Sequence, residues 1–293
     1  MSDLRTASPL VSAEFPGVDV RRARPDEPGI DAGRQAAAPA CALPSLEHLA
    51  ELRPDADLLK ANHIVGFRGN SAVSRPFNLL RSQITAACEQ HGYSVLGVVS
   101  AVPDEGKSFI AANLAAALGR MPQLEVYLLD LDLRRPSVAG LFGVEADPGL
   151  DSWLQNGAPA LSEIGRRVVG TNLAIFPSAP TTPDVVATLH GEWFEQLMGG
   201  LAQARSPSRI VLCDLPPVFV GDDAMAVSRH LDAYIHVVGS GQSTTRRFEE
   251  LGRLLKDTPC LGSVLNRYVG GPFDPYGYGR SSKAYDAYFS DQN

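Results

Sequence analysis

The stretch from residue 96 to residue 118 constrains this chain most. The apolar run Leu-Gly-Val-Val-Ser at 96–100 passes through Ala101-Val102-Pro103-Asp104-Glu105 into Gly106-Lys107-Ser108, and then into Phe-Ile-Ala-Ala-Asn-Leu-Ala-Ala-Ala-Leu at 109–118. A short unbroken apolar run reads as a buried strand, and the Ala- and Leu-rich run as a helix. The tripeptide therefore falls at a strand-to-helix turn. At such a turn, backbone N–H groups and the helix N-terminus point at an anion, a lysine reaches the β and γ oxygens of a bound nucleotide, and a serine hydroxyl ligates magnesium. Gly106 allows close backbone approach. The longer pattern GxxxxGK[ST] is met only in part, because Ala101 stands where its first glycine would be. The bland alternative, an exposed helix start with a solvated lysine, is set aside by the flanking elements and by the acids described next.

In Glu-Val-Tyr-Leu-Leu-Asp-Leu-Asp-Leu-Arg-Arg-Pro-Ser (125–137), Asp130 ends an apolar run and Asp132 follows two residues on. In extended backbone such a pair points the same way. Arg-Ile-Val-Leu-Cys-Asp-Leu-Pro-Pro (209–217) places Asp214 at another carboxyl end, the position from which an aspartate approaches a nucleotide-bound magnesium ion. One acid at a strand end is commonly a helix cap. Three converging on the edge of a phosphate loop are less easily explained that way.

The wider pattern is strand, helix, strand. Phe77, Leu80, Ile84 and Cys88 have helical spacing, with Ser74 placed to cap and Gly92 to stop. Strands are expected at 96–100, 125–130, 173–176, 209–214, 233–239 and 261–266. Helices are expected at 108–118, about 190–203 and about 244–256. Several strand runs are apolar without alternation, as in a parallel sheet covered on both faces. The expected fold is α/β, a doubly wound and mainly parallel sheet of the P-loop NTPase type, with ligands at the carboxyl ends of the strands.

Residues 1–58 carry seven prolines and no sustained periodicity, and read as a disordered tail. Residues 59–268 form the expected domain, and 269–293 a flexible tail. A net charge of −7 argues against a broad nucleic-acid surface. Cys41, Cys88, Cys213 and Cys260 show no metal-ligand or disulfide spacing, which fits a reducing cytoplasm. No window reaches the length of an apolar membrane span, and the first residues lack the order of a signal peptide.

Together these segments resemble the bacterial tyrosine kinases that accompany capsule and exopolysaccharide assembly, relatives of the Min and Par P-loop ATPases. The resemblance covers roughly residues 60–290. It rests on PFNLLRSQI (76–84), PDEGKS (103–108), LLDLDLRRPS (128–137), IVLCDLPP (210–217), GDDA (221–224), SVLNR (263–267) and the closing tyrosines. The resemblance implies ATP and magnesium as cofactors. Lys107 would grip the β and γ phosphates, and Ser108, Asp132 and Asp214 would hold the ion. Asp130 would orient or accept the proton of an attacking tyrosine hydroxyl, and Arg134 would neutralise phosphate or bridge to a neighbouring subunit. The nucleotide would lie along Asp104, Glu105, Gly106, Lys107, Ser108 and Phe109, with Asn266 at the adenine beside Arg267.

Five of eight tyrosines lie in the last 26 residues, and Tyr276, Tyr278, Tyr285 and Tyr288 are the candidate phosphoacceptors. The resemblance also implies a homo-oligomeric ring supported by Arg81. It implies recruitment to the inner face of the plasma membrane by a membrane polysaccharide co-polymerase acting as activator. Two departures stand out: Asp104 where the group commonly has glycine, and Leu215 where it has serine or threonine. The other readings of the same motifs are a partitioning ATPase, disfavoured by Val102 where those proteins carry a signature lysine, and a nucleotide-sensing scaffold without phosphotransfer.

Overall fold

The computed structural model describes residues 8–12, 42–69, 71–180 and 185–268. Nine strands among them form one sheet: β1 (Ser8–Ser12), β2 (Ala50–Leu52), β3 (Val95–Ser100), β4 (Glu125–Asp130), β5 (Arg166–Val168), β6 (Leu173–Phe176), β7 (Arg209–Asp214), β8 (Ala233–Gly239) and β9 (Cys260–Tyr268). Their order across the sheet is β1-β9-β8-β3-β7-β4-β6-β5-β2. The six central strands, β9 to β6, run parallel, while β1 joins β9 and β5 joins β6 antiparallel.

Each central strand is apolar on both sides because each side meets helices. In β4, Val126 and Leu128 enter one core while Tyr127 and Leu129 enter the other; in β7, Ile210 and Leu212 oppose Val211 and Cys213 in the same way. The first core is closed by α2 (Arg75–His91), α3 (Lys107–Leu118) and α4 (Val138–Phe142) through Phe77, Leu80, Ile84, Ile110, Leu114 and Phe142. The second is closed by α5 (Leu150–Asn156), α6 (Leu161–Ile164), α7 (Val185–Leu189), α8 (Glu192–Gln203), α9 (Asp223–Ser228) and α10 (Thr245–Leu254). Burying a Leu or Phe side chain contributes about 1.5–3 kcal/mol, so the two-sided strands are the main source of stability.

Helix α3 is buried nearly all round, which its run of alanines permits. The segment at 65–66 packs on it, with Asn113 Oδ1 accepting from the N–H groups of Val65 (2.7 Å) and Gly66 (3.0 Å). A Cβ at Gly66 would lie 2.1 Å from the Asn113 carbonyl oxygen, so only glycine fits that crossing.

Two expectations change. Part of the segment assigned to a disordered tail is packed: Leu43 and Leu49 are buried in the core, β2 pairs with β5, and Asp55 caps α1 (Ala56–Ala61) by accepting from Leu58 N–H at 2.7 Å. Isolated leucines among prolines gave no periodicity to find, and their partners lie in distant strands. Ser74 does precede α2, but its hydroxyl donates back to the Ser71 carbonyl instead of capping the helix. Among the described residues no helix is long and apolar enough to cross a membrane.

His236 on β8 is buried, stacks on Phe248 of α10 (centroids 4.9 Å apart), and has no hydrogen bond at Nε2. Burial pushes its pKa down to about 4, against an opposing pull from Glu105. A histidine depressed in the fold contributes stability that is complete above its unfolded pKa of about 6.5 and is lost as pH falls toward 4. Lowering the pH from 7 to 5 should therefore cost the wild-type chain about 2 kcal/mol through this residue. Urea unfolding at the two pH values should show that increment in wild type and its absence in His236→Gln.

A lysine-centred pocket at the carboxyl ends of the parallel strands

The pocket is assembled by register. Parallel pairing of β4 with β7 sets Asp130 against Asp214, and pairing of β3 with β7 sets Val98 against Asp214. The chain leaving β3 turns back over these carboxyl ends into α3, which begins at Lys107. Lys107 Nζ lies 2.7 Å from Asp132 Oδ2, 3.6 Å from Asp214 Oδ1 and 3.1 Å from Ser108 Oγ. The four predicted residues Lys107, Ser108, Asp132 and Asp214 are thus one cluster, with Asp130 behind them.

Burial makes the cluster electrostatically tense. Asp214 is fully buried and its nearest cation is Lys107, 3.6 Å from Oδ1; burial raises its pKa, opposed mainly by the charge of Lys107 and then by Ser108. Asp130 is raised well above the usual carboxylate range, first by burial and then by Asp214. For Lys107, burial works to lower the pKa, but Asp214 and Asp132 more than reverse it, so the ammonium stays charged. Two buried carboxylates held by one lysine leave an unmatched negative charge, which a divalent cation satisfies.

The loop fits a nucleotide phosphate chain. Gly106 has φ of 90°, in the left-handed region open to glycine, and a Cβ there would lie 2.1 Å from Asn266 Nδ2. The first turn of α3 carries no side-chain cap and no acid, so its N–H groups remain available to an anion. Among the described residues no group of three or more His, Cys, Asp or Glu forms a ready-made metal cage. That suits magnesium, which takes one or two protein carboxylates and completes its shell with phosphate oxygens and water.

Other expected site residues take different parts. Asp130 is used largely as structure, its Oδ2 accepting from the N–H groups of Ser137 and Val138, 3.0 Å each, while Oδ1 is unpartnered. This bond fixes the loop that presents Asp132. Arg134 does not reach toward the lysine: its guanidinium forks onto Asp223, Nε at 2.5 Å and Nη2 at 3.2 Å. Glu105, expected along the phosphates, is fully buried and turned inward, accepting from Ala101 and Val102 N–H. An acid facing phosphate would repel it, whereas here its charge is met by donors. Asn266, expected at the adenine, has both side-chain polar atoms engaged locally: Nδ2 donates to the Glu105 carbonyl (2.8 Å) and Oδ1 accepts from Arg267 N–H (2.9 Å). Phe109 packs edge-on against Phe77, and Arg267 has φ of 60° at an exposed position. Asp104 is exposed with φ of 64°, a region that favours glycine; aspartate is among the side chains that tolerate it. Leu215 is buried in the core. Tyr276, Tyr278, Tyr285 and Tyr288 lie outside the described residues.

The sequence did not assign Asp223. Its signal was the GDDA segment after β7, which carried no role until the structure paired it with Arg134.

The fold is that of an α/β protein of the P-loop NTPase class. Within that class the chain is a relative of the bacterial tyrosine kinases. It is 27% identical over 225 residues to the tyrosine-protein kinase YwqD of Bacillus subtilis, covering 75% of this chain and 92% of that protein. It is 29% identical over 206 residues to the tyrosine-protein kinase wzc of Salmonella typhimurium, where the match spans 68% of this chain and 28% of the relative's length. Among solved structures, the chimerical protein CapA2B2 superposes with a TM-score of 0.63 at 26% identity, covering 77% of this chain and 95% of that one. No protein-family model matches the sequence.

Breaking the Arg134 fork leaves Asp223, whose side chain is 2% exposed, as an unpaired buried acid. Since the Arg134 side chain is 43% exposed, solvent screens part of the loss. Arg134→Ala should lower unfolding stability by roughly 1–3 kcal/mol. Arg134→Ala combined with Asp223→Asn should recover part of that loss in chemical denaturation.

Proposed function

We propose that this chain is an ATP- and magnesium-dependent protein-tyrosine autokinase that regulates exopolysaccharide or capsule synthesis and export. The observation that carries the reading is Lys107 at the phosphate-loop turn, held between Asp132 and Asp214 at the ends of neighbouring parallel strands. The DxDxRRP segment that supplies Asp132, together with the kinase relatives, favours phosphotransfer over a plain ATPase.

In this reading Lys107 leaves the two aspartates to neutralise the β and γ oxygens, and the N–H groups from Gly106 to Ser108 hold the phosphate chain. Magnesium, when bound, neutralises charge on the transferring group. Ser108, Asp132 and Asp214 are the residues that would hold it. Asp130 is given the part of orienting or accepting the proton of the tyrosine hydroxyl, and its Oδ1, buried behind Lys107, has no hydrogen bond of its own. Its other oxygen holds the loop of Asp132 in place.

The acceptors are Tyr276, Tyr278, Tyr285 and Tyr288 of a neighbouring subunit in a homo-oligomeric ring. Arg81, half-buried on α2, is the residue proposed to support the ring. A membrane polysaccharide co-polymerase is the proposed activator, bringing the chain to the inner face of the plasma membrane.

Incubation of the purified full chain with ATP and magnesium, with and without the cytoplasmic segment of such a co-polymerase, should add phosphate to the tail tyrosines by intact mass and tandem mass spectrometry. Lys107→Met should reduce that gain by at least about 100-fold. Retention of nucleotide with unmodified tyrosines in both arms would rule the kinase reading out and leave a nucleotide-sensing scaffold. ATP-dependent dimerisation with hydrolysis and no phosphotyrosine would instead indicate a partitioning-type ATPase.

A further inference from the structure

The phosphate loop is tied to a distant segment through one side chain. Glu105 Oε2 accepts from Ala101 N–H (2.8 Å) and Val102 N–H (3.0 Å), within the loop itself. Its Oε1 accepts from Gly239 N–H (3.1 Å), at the end of β8, and from the Ser243 hydroxyl (2.6 Å), in the connection that follows to α10. An ionised carboxylate offers about four lone-pair sites and no donor, so these four donors use its whole capacity. The tie is doubled through β9. Asn266 Nδ2 donates to the Glu105 carbonyl, and the Asn266 carbonyl accepts from Ser240 N–H at 2.8 Å.

We propose that Glu105 is a positioning residue that clamps the phosphate loop to residues 239–243, so that the anion-binding shape of the loop depends on that connection. The proposal rests on the nucleotide-binding part of the reading above and is independent of phosphotransfer to tyrosine. Two features favour a clamp over ordinary packing. The side chain is polar on a loop that borders a phosphate site, yet it is wholly buried and turned from the site. Its partners divide evenly between two segments more than 130 residues apart in sequence, 134 for Gly239 and 138 for Ser243. A glutamine replaces this glutamate poorly, because whichever way its amide turns, the NH2 group donates toward at least one backbone N–H that now meets a carboxylate oxygen.

Ser243 is the cleaner place to test this, since its hydroxyl touches the clamp and lies outside the pocket residues. Amide hydrogen exchange reads the clamp without nucleotide: Ser243→Ala should raise exchange across 101–106 by about tenfold and leave the central strands protected, as expected when a hydrogen bond to a charged group is lost. Titration with a fluorescent ATP analogue reads the consequence. Glu105→Gln should weaken binding by about 10- to 100-fold and Ser243→Ala by about 3- to 10-fold. The double variant should bind no worse than Glu105→Gln alone, because both changes disable one device. Ser243→Thr restores the hydroxyl and should bind as wild type does.

Unchanged exchange at 101–106 in Ser243→Ala would overturn the clamp, as would independent, additive effects of the two substitutions. Should Glu105→Gln fail to fold, the Ser243→Ala and Ser243→Thr pair answers the same question. A wild-type chain that binds no analogue would refute nucleotide binding, while the exchange experiment would still decide the clamp.

Discussion

The ion pair between Lys107 and Asp132, with Asp214 3.6 Å away, is the interaction around which the rest of the molecule is arranged. Taking a lysine and two carboxylates out of water is costly unless they offset one another. They meet because parallel pairing of β3, β4 and β7 brings the carboxyl ends of three strands level, and because the chain leaving β3 folds back over that edge. The two cores supply the stabilisation that keeps this arrangement out of water.

Much of the acidic character near the pocket is structural. Asp130 fastens the loop that carries Asp132, Asp223 holds Arg134, and Glu105 binds the phosphate loop to the β8–α10 connection. Each acid is buried and meets N–H or guanidinium donors, which makes the surroundings of the lysine stiff. A stiff surround matters for phosphate binding, because charge stabilisation is strongest when the groups need not reorganise. The residues that touch phosphate in this reading are few, and they stand on a scaffold of other polar residues.

How much could be read from the chain varies by element. The strands at 125–130, 173–176, 209–214 and 233–239 coincide with their apolar runs, because a strand buried on both faces cannot hide its composition. The short β2 and β5, and the helices α4 to α6, escaped notice: each is only three to seven residues long and takes its conformation from distant partners. Residues 42–58 escaped for the same reason, since Leu43 and Leu49 are single anchors without a period.

By itself, the sequence determined the layered parallel fold and the association of Lys107, Ser108, Asp132 and Asp214. Apolar runs and a strand–GKS–helix junction are local patterns, and their consequence for the backbone is local too. Only the tertiary structure decided which polar groups face the pocket and which brace it. The chain places Glu105 and Asn266 beside the nucleotide and Arg134 at the phosphate or toward a neighbouring subunit, while their partners at Gly239, Ser243, Asp223 and the Glu105 carbonyl are fixed by strand order and loop crossing. A side chain's charge is written in the chain, but the direction in which it points depends on where donors from distant segments come to rest.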